Sequence, residues 1–587
     1  MRHLLRPGLL LALALLLGSL PGNSPAAGDP WGGHSIDDPY AIDQIVLVQT
    51  LHQQGYTGEY YENRAYTCGR SGYQTFLLVY PDGLALSVER PLWVRMHGGG
   101  VGAYDANGSY VPAEMESAND QESATKLGHL LGEGGLIAKV RAHAAGFRFL
   151  MPSLCDHDVY SGVGVPDLNN PNSPDENGRV RAADGLLATK AAIAFARRRA
   201  RTSHTFLHGT SAGSIGTFSV AYSFQREGLV LSGIVSDSHM MGRGLEDNAD
   251  LFCMPFPYDR SLLIPKIGPL ADHFYPEDIV AAGEMHVPVY HLWNRGDPAC
   301  CGSALQTYLD EFGVPYSEPG CLHEHRAYHD AIVANPPGGP GRSVSVEVCV
   351  NDAGTADPGA CNLHSPTKYH YTRANPPGDQ LRGGSDYNQA IIEWVDQRLT
   401  EPYAVVCPDA PAPHCNQAAR AKLEYDERRP GKEKMKLRWR RMAQTAARED
   451  FGDPVGGNTS VALCIYNDAG RLLQQFSIDR AGQYCGAAPC WKPVGGGGYR
   501  YRDKTGSAGG VTSVRYVSGL AGKGRADAKG KNNAAKGQSR LPVGVAASLS
   551  GSRSPTIQMI SSTGLCAGAT MTAVKTDTGA VYSARRK

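Results

Sequence analysis

A serine hydroxyl is a poor nucleophile near neutral pH, so a chain that uses one must lift it out of the backbone, deprotonate it and shelter the oxyanion it creates. Gly209-Thr210-Ser211-Ala212-Gly213 has the form for the first task. Its small flanking residues allow a tight strand-to-helix turn with the Ser211 hydroxyl at the tip and the next N–H aimed at a developing negative charge. In a chain with 70 glycines such a pentapeptide is a weak signal alone. The second motif, His97-Gly98-Gly99-Gly100, is rarer, and it directly follows the strand-like run Leu92–Met96. Glycines there let backbone N–H groups approach a tetrahedral oxygen with no side chain in the way. Together the two motifs point to acyl transfer through a serine.

A base and an acid must follow. In the arrangement that carries both motifs the chain order is Ser, acid, His. Asp297 comes just after the apolar run Val287–Leu292 and is the first candidate acid; Asp237, after Gly233–Val235, is its rival. The base belongs between Val344–Val350 and the last helical stretch, where His364 and His370 lie. His325 and His329 have the i, i+4 spacing of a metal pair, with His323 nearby, but no carboxylate stands in a recognised metalloprotease pattern. A solvated, His-rich helix is the expectation there, with no metal and no cofactor required.

These residues need a scaffold. Leu92–Met96, Phe147–Met151, Thr205–Leu207, Gly233–Val235, Val287–Leu292 and Val344–Val350 read as strands. Helical periodicity over Ala183–Arg199 and Tyr387–Leu399 alternates with them. That alternation predicts an α/β fold with a mostly parallel sheet, of the α/β-hydrolase type, over residues 28–402. Residues 403–432 are Pro-rich and then charged, and read as a linker. From 433 to 587 short alternating runs predict a small all-β domain, sandwich-like, with a hairpin around Asn467-Asp468-Ala469-Gly470. Gly519–Arg540, rich in Gly and Lys, is expected to lack order. Trp439, Trp491, Tyr499 and Tyr501 are either core or a stacking platform for sugar rings.

Length and composition agree. The 587 residues exceed a single core. Lys plus Arg and Asp plus Glu each number 57, so overall charge gives no case for nucleic acid. Arg2 and Arg6, an apolar run Leu9–Leu17 and small residues to Ala27 have the order of an export signal, residues 1–27. The run is too short to span a bilayer, so a secreted, extracellular or periplasmic product without an integral membrane segment is expected. Export also makes the 14 cysteines legible as disulfides, although spacing does not fix their pairing.

The elbow with Ala212, the glycine loop, and the Ser, Asp, His order resemble the pectin acetylesterase and Notum-like carboxylesterases over about residues 60–400. Cys155-Asp156-His157-Asp158-Val159-Tyr160-Ser161-Gly162, the pair Asp237-Ser238, and Cys361 with His364 are similar to further stretches of that family. The resemblance implies a structural role for Asp237 and favours Asp297 and His364 as the acid and base. It implies Gly99, Gly100 and Ala212 as oxyanion donors, and hydrolysis of an ester such as an O-acetyl group on a polysaccharide. Val101 and Gly102, and the insertion Pro166–Asn177, depart from the family pattern where substrate pockets are shaped. A polyester depolymerase or feruloyl-type esterase would use the same triad with a wider apolar cleft. In a different class, an adhesion protein would use the β domain, through carbohydrate or cell-surface contact, and keep an inert hydrolase fold.

Overall fold

The structure is a computed structural model. It describes residues 41–70, 72–100, 102–111, 125–167, 169–175, 177–238, 275–294, 297, 320–348, 364–368, 386–401, 404–413, 415–457, 459–495 and 497–587. The export signal, Cys300, Cys301, Cys361 and His370 lie outside these residues, as do the side chains of His323 and His325.

A nine-stranded sheet forms the first half. Its strands are β1 (Ile45–Gln53), β2 (Tyr56–Thr67), β3 (Tyr73–Pro81), β4 (Arg90–Met96), β5 (Arg148–Pro152), β6 (Thr202–Thr210), β7 (Gly233–Asp237), β8 (Val289–Asn294) and β9 (Val344–Val348). Their spatial order is β1-β2-β3-β5-β4-β6-β7-β8-β9. The pairs from β5 to β9 are parallel, and β1, β2 and β3 add an antiparallel meander at one edge. The predicted mostly parallel sheet is present.

Helices cover both faces, as a parallel sheet with apolar residues on both sides requires. Gly185–Arg199 and Ala212–Arg226 pack on one face with Leu78, Val94, Leu207 and Ile234. Gly135–Arg141 and Tyr387–Leu399 pack on the other with Leu77, Trp93, Phe206 and Val235. The alternation along each strand divides the two cores. At the amino ends of the strands the fully buried Arg148 donates to the carbonyls of Arg201 and Val88, each at 2.7 Å. Those bonds satisfy a loop that would otherwise bury bare carbonyls. Among the described residues no helix is long and apolar enough to cross a membrane.

The second half is all β. Strands Asn416–Asp426, Lys434–Met442, Val461–Tyr466, Leu472–Ile478, Trp491–Val494, Gly498–Arg502, Val511–Val517, Arg525–Lys531, Thr556–Ser561, Cys566–Thr570, Ala573–Asp577 and Val581–Arg586 form one twelve-stranded sheet. Its two halves share Asn416–Asp426, whose start pairs with Cys566–Thr570 and whose end pairs with Val581–Arg586. Both halves contribute to one core, and the Trp439 indole N–H reaches the Ile557 carbonyl across it. The domain is therefore a bent continuous sheet and not two separate leaves.

Three expectations need correction. The segment 403–432 is not simply a linker, because Asn416–Asp426 lies in the middle of the sheet; the alternation of Ala421, Leu423 and Tyr425 inward was masked by Lys422 and Glu424 between them. Gly519–Arg540 is ordered in part as the interior strand Arg525–Lys531, since Ala526 and Ala528 need only a small space in the core. Trp439, Trp491, Tyr499 and Tyr501 are all buried, which removes the stacking platform. Three disulfides belong to this half: Cys407–Cys464, Cys415–Cys566 and Cys485–Cys490.

Candidate active site

The predicted site residues sit at the carboxyl ends of the parallel strands, where open α/β sheets place their crevices. Ser211 separates β6 from the helix Ala212–Arg226 and holds φ 53°, ψ −125°. That is costly backbone for a non-glycine residue, and it persists because its surroundings fix it. A β-carbon on Gly209 would fall 2.1 Å from the Gly213 carbonyl oxygen, and one on Gly213 would fall 2.1 Å from that of Met96. Both glycines of the pentapeptide are thus demanded by backbone contact. The Ser211 N–H donates to the Asp237 carbonyl at 3.1 Å, which ties the elbow to the end of β7.

The glycine loop leaves β4 beside this elbow. Its carbonyls are engaged by side chains, two from outside and one from the loop itself: Tyr160 Oη donates to His97 O at 3.2 Å, His157 Nδ1 lies 3.2 Å from Gly99 O, and His97 Nδ1 lies 2.9 Å from Gly98 O. In a trans peptide the N–H points opposite to its carbonyl, so fixing Gly98 O and Gly99 O fixes the directions of the Gly99 and Gly100 N–H groups. Ala212, at the first turn of its helix, adds an N–H with no intrahelical partner.

The acid and the base are in direct contact. Asp297 is buried, and both its oxygens lie 2.9 Å from Nδ1 of the part-exposed His364. With Nδ1 so engaged, Nε2 is the nitrogen left to exchange a proton. Asp237 and Ser238 hold the loop that carries the histidine. Asp237 Oδ2 accepts from the Thr367 N–H at 2.9 Å and from its hydroxyl, and the Ser365 N–H donates to Ser238 Oγ at 3.0 Å. Burial pushes the Asp237 carboxyl up, and the bonds from Thr367 pull it partly back. Asp297 and not Asp237 therefore meets the imidazole. Ser211 joins the pair through this bracket, via its backbone, and makes no hydrogen bond from its own hydroxyl to His364.

Two supports were not assigned roles from the sequence. His157 and Tyr160 brace the glycine loop from a segment in which His157, Val159 and Tyr160 all have positive φ, of 48°, 52° and 58°. Asp158 stabilises that backbone by accepting from the N–H groups of Tyr160, Gly162 and Gly185 at 2.7–3.0 Å. Only the family resemblance of Cys155–Gly162 hinted at it. His329 is not solvated: its Nδ1 lies 2.9 Å from Ser345 Oγ and its ring packs on Trp293.

Cys68, Cys155 and Asp156 come within 4.8 Å of one another, the one such potential ligand group among the described residues. The Asp156 oxygens already accept from Gly69 N, Gln74 Nε2 and Asp184 N, and burial pushes the Cys155 thiol up, away from the thiolate a metal needs. The donor set fits a structural hydrogen-bond centre better than a cation.

No family model matches the chain, and no curated protein does. Solved structures give slight likenesses. An S-formylglutathione hydrolase from Agrobacterium tumefaciens is 12% identical, with 51% of this chain and 90% of that one covered at a TM-score of 0.28. A glucuronoyl esterase from Solibacter usitatus is 10% identical, with 49% and 72% covered at 0.29. A thermostable esterase from Pseudomonas putida is 11% identical, with 52% and 73% covered at 0.26. Likeness this slight carries no weight for function.

Proposed function

We propose that the chain is an exported serine carboxylesterase of the α/β-hydrolase type. The observation that carries the reading is the Asp297–His364 contact, made between residues 67 apart in sequence and latched beside a strained serine elbow. Strand order, the elbow and the braced glycine loop support it as well.

In the mechanism, His364 Nε2 takes the proton of Ser211 as Oγ attacks the ester carbonyl. Asp297 holds the imidazole in the Nδ1–H tautomer and stabilises the imidazolium. The N–H groups of Gly99, Gly100 and Ala212 receive the oxyanion; His364 then protonates the departing alcohol, and water repeats the sequence on the acyl-enzyme. The serine–imidazole bond forms as substrate enters, since catalytic hydrogen bonds tighten in the Michaelis complex. An O-acetyl group on a polysaccharide is the substrate favoured, on the family resemblance and the proposed export. The test is Ser211→Ala: hydrolysis of p-nitrophenyl acetate should fall about a thousandfold or more, with loss of fluorophosphonate labelling and an unchanged fold. Normal turnover in that variant would sink the proposal.

A further inference from the structure

The outer face of the C-terminal sheet carries a charge pattern that ester cleavage does not use. Seven strands lie side by side there, from Val581–Arg586 through Asn416–Asp426 to Trp491–Val494. One cross-strand row runs over all of them. Arg585 stands opposite Lys422, Lys422 opposite Arg438, Arg515 opposite Arg500, and Arg500 opposite Lys492. Asp527, between Arg438 and Arg515, is its one interruption. Chain neighbours such as Leu437, Trp439, Val514, Tyr516 and Tyr501 are buried, so the alternation of a strand puts this row outside. A second row is mixed, with Lys529 opposite Lys436 at its centre, Glu424 on the far side of Lys436, and Arg502 beyond Ser513.

Like charges directly opposite one another destabilise a sheet, and a surface built for solubility alone intersperses the two signs. Acidic relief reaches only part of the row: Asp527 pairs with Arg440 at 2.7 Å and with Arg438 at 3.3 Å, and Glu424 pairs with Lys422. Loss of solvent, and then the charges of Arg438 and Lys422, pull the Lys436 ammonium below its usual range. The repulsion is retained, which is expected where a ligand relieves it.

We propose that this face binds a linear, carboxylate-bearing polysaccharide, laid along the row with its acid groups paired to the arginines and lysines. Rows repeat about every 6.7 Å along the strands and cations about every 4.8 Å across them, a grid that a flexible single chain can follow. Guanidinium forks suit carboxylates. A rigid duplex would touch a flat sheet along a short tangent only. A membrane surface is held by apolar and aromatic side chains beside the basic ones, and the two rows offer none. The preference for a polysaccharide rests on the exported-esterase reading; the charge pattern does not.

The test uses the full chain with sodium alginate as probe and dextran as the neutral control. Alginate should bind and dextran should not, with log affinity falling linearly with log salt. Arg500→Glu with Arg515→Glu should weaken alginate binding at least tenfold, and Arg500→Ser with Arg515→Ser should fall between that variant and the parent. Both should keep the parent's fold and its hydrolysis of p-nitrophenyl acetate, and the Ser variant should melt at or above the parent, because the facing Arg500 and Arg515 no longer repel. Ser211→Ala should bind alginate as the parent does, and a parent that binds alginate but hydrolyses no ester would refute the esterase and leave this face standing. Absence of alginate binding, equal binding by the Glu variant, or tighter binding to phosphatidylglycerol vesicles or duplex DNA would overturn the inference.

Discussion

A β-carbon on Gly98 would lie 2.8 Å from Cβ of Ser211 and 3.0 Å from the carbonyl oxygen of Thr210. The glycine loop and the serine elbow are thus in backbone-level contact, and neither can move without the other. Gly98→Ala should displace one of them by part of an ångström. Turnover should fall about a hundredfold while the melting temperature shifts little, because misplacement costs rate before it costs fold. Steady-state kinetics beside a thermal melt decide it, and unchanged kcat would show that the loop gives way freely.

Asp297→Asn should keep the geometry at His364 but favour the wrong tautomer. A loss of about 10⁴-fold in kcat is expected, with KM nearly constant. A loss under tenfold would mean that another carboxylate serves the imidazole.

Asp237→Ala removes the acceptor for both the N–H and the hydroxyl of Thr367. The buried N–H left behind should cost about 1–3 kcal/mol, read from the urea midpoint. Because Asp237 positions the histidine loop and takes no proton in the reaction, kcat should drop while the shape of the pH–rate profile stays as it was. A changed profile would argue for a direct role.

Burial, and then the charge of Asp158, push the Asp184 carboxyl from 3.8 up to about 7. Below about pH 4 both folded and unfolded chains hold this proton. Between there and about 7 only the folded chain does, so stability should fall as pH rises through that window and level off above it. Asp184→Asn lacks the titration. Its melting temperature relative to the parent should rise between pH 4 and pH 8, and a constant difference would contradict the assignment.

Much of the site was legible because its chemistry needs rare local signals. Two glycine motifs stood directly after apolar runs, and chain order then selected a late Asp and a later His. Asp237 and Asp297 both follow a strand; the later strand position favoured Asp297, and the resemblance strengthened that choice. The braces His157 and Tyr160 were invisible as such, because their value lies in a left-handed backbone that Asp158 secures. In the fold, the parallel strands were visible as apolar runs, whereas the meander β1 to β3 was not recognised; Tyr60, Tyr61 and Glu59 do not mark a face by hydrophobicity. Glu59 is buried on β2, accepting from Tyr61, Tyr80 and Arg199. In the second half, Asn416–Asp426 looked like linker, because it follows a Pro-rich stretch and carries Arg420, Lys422, Glu424 and Asp426 at alternate positions.

The strand Asn416–Asp426 is synthesised early in its domain yet waits for neighbours made last. Cys415 and Cys566, joined across 151 residues, mark the same delay. Until Val581–Arg586 arrives, the far half of that strand presents bare N–H and carbonyl groups to any passing chain. Arg420, Lys422, Glu424 and Asp426, set at alternate positions, then act as gatekeepers that keep this edge hydrated while the seam is still open.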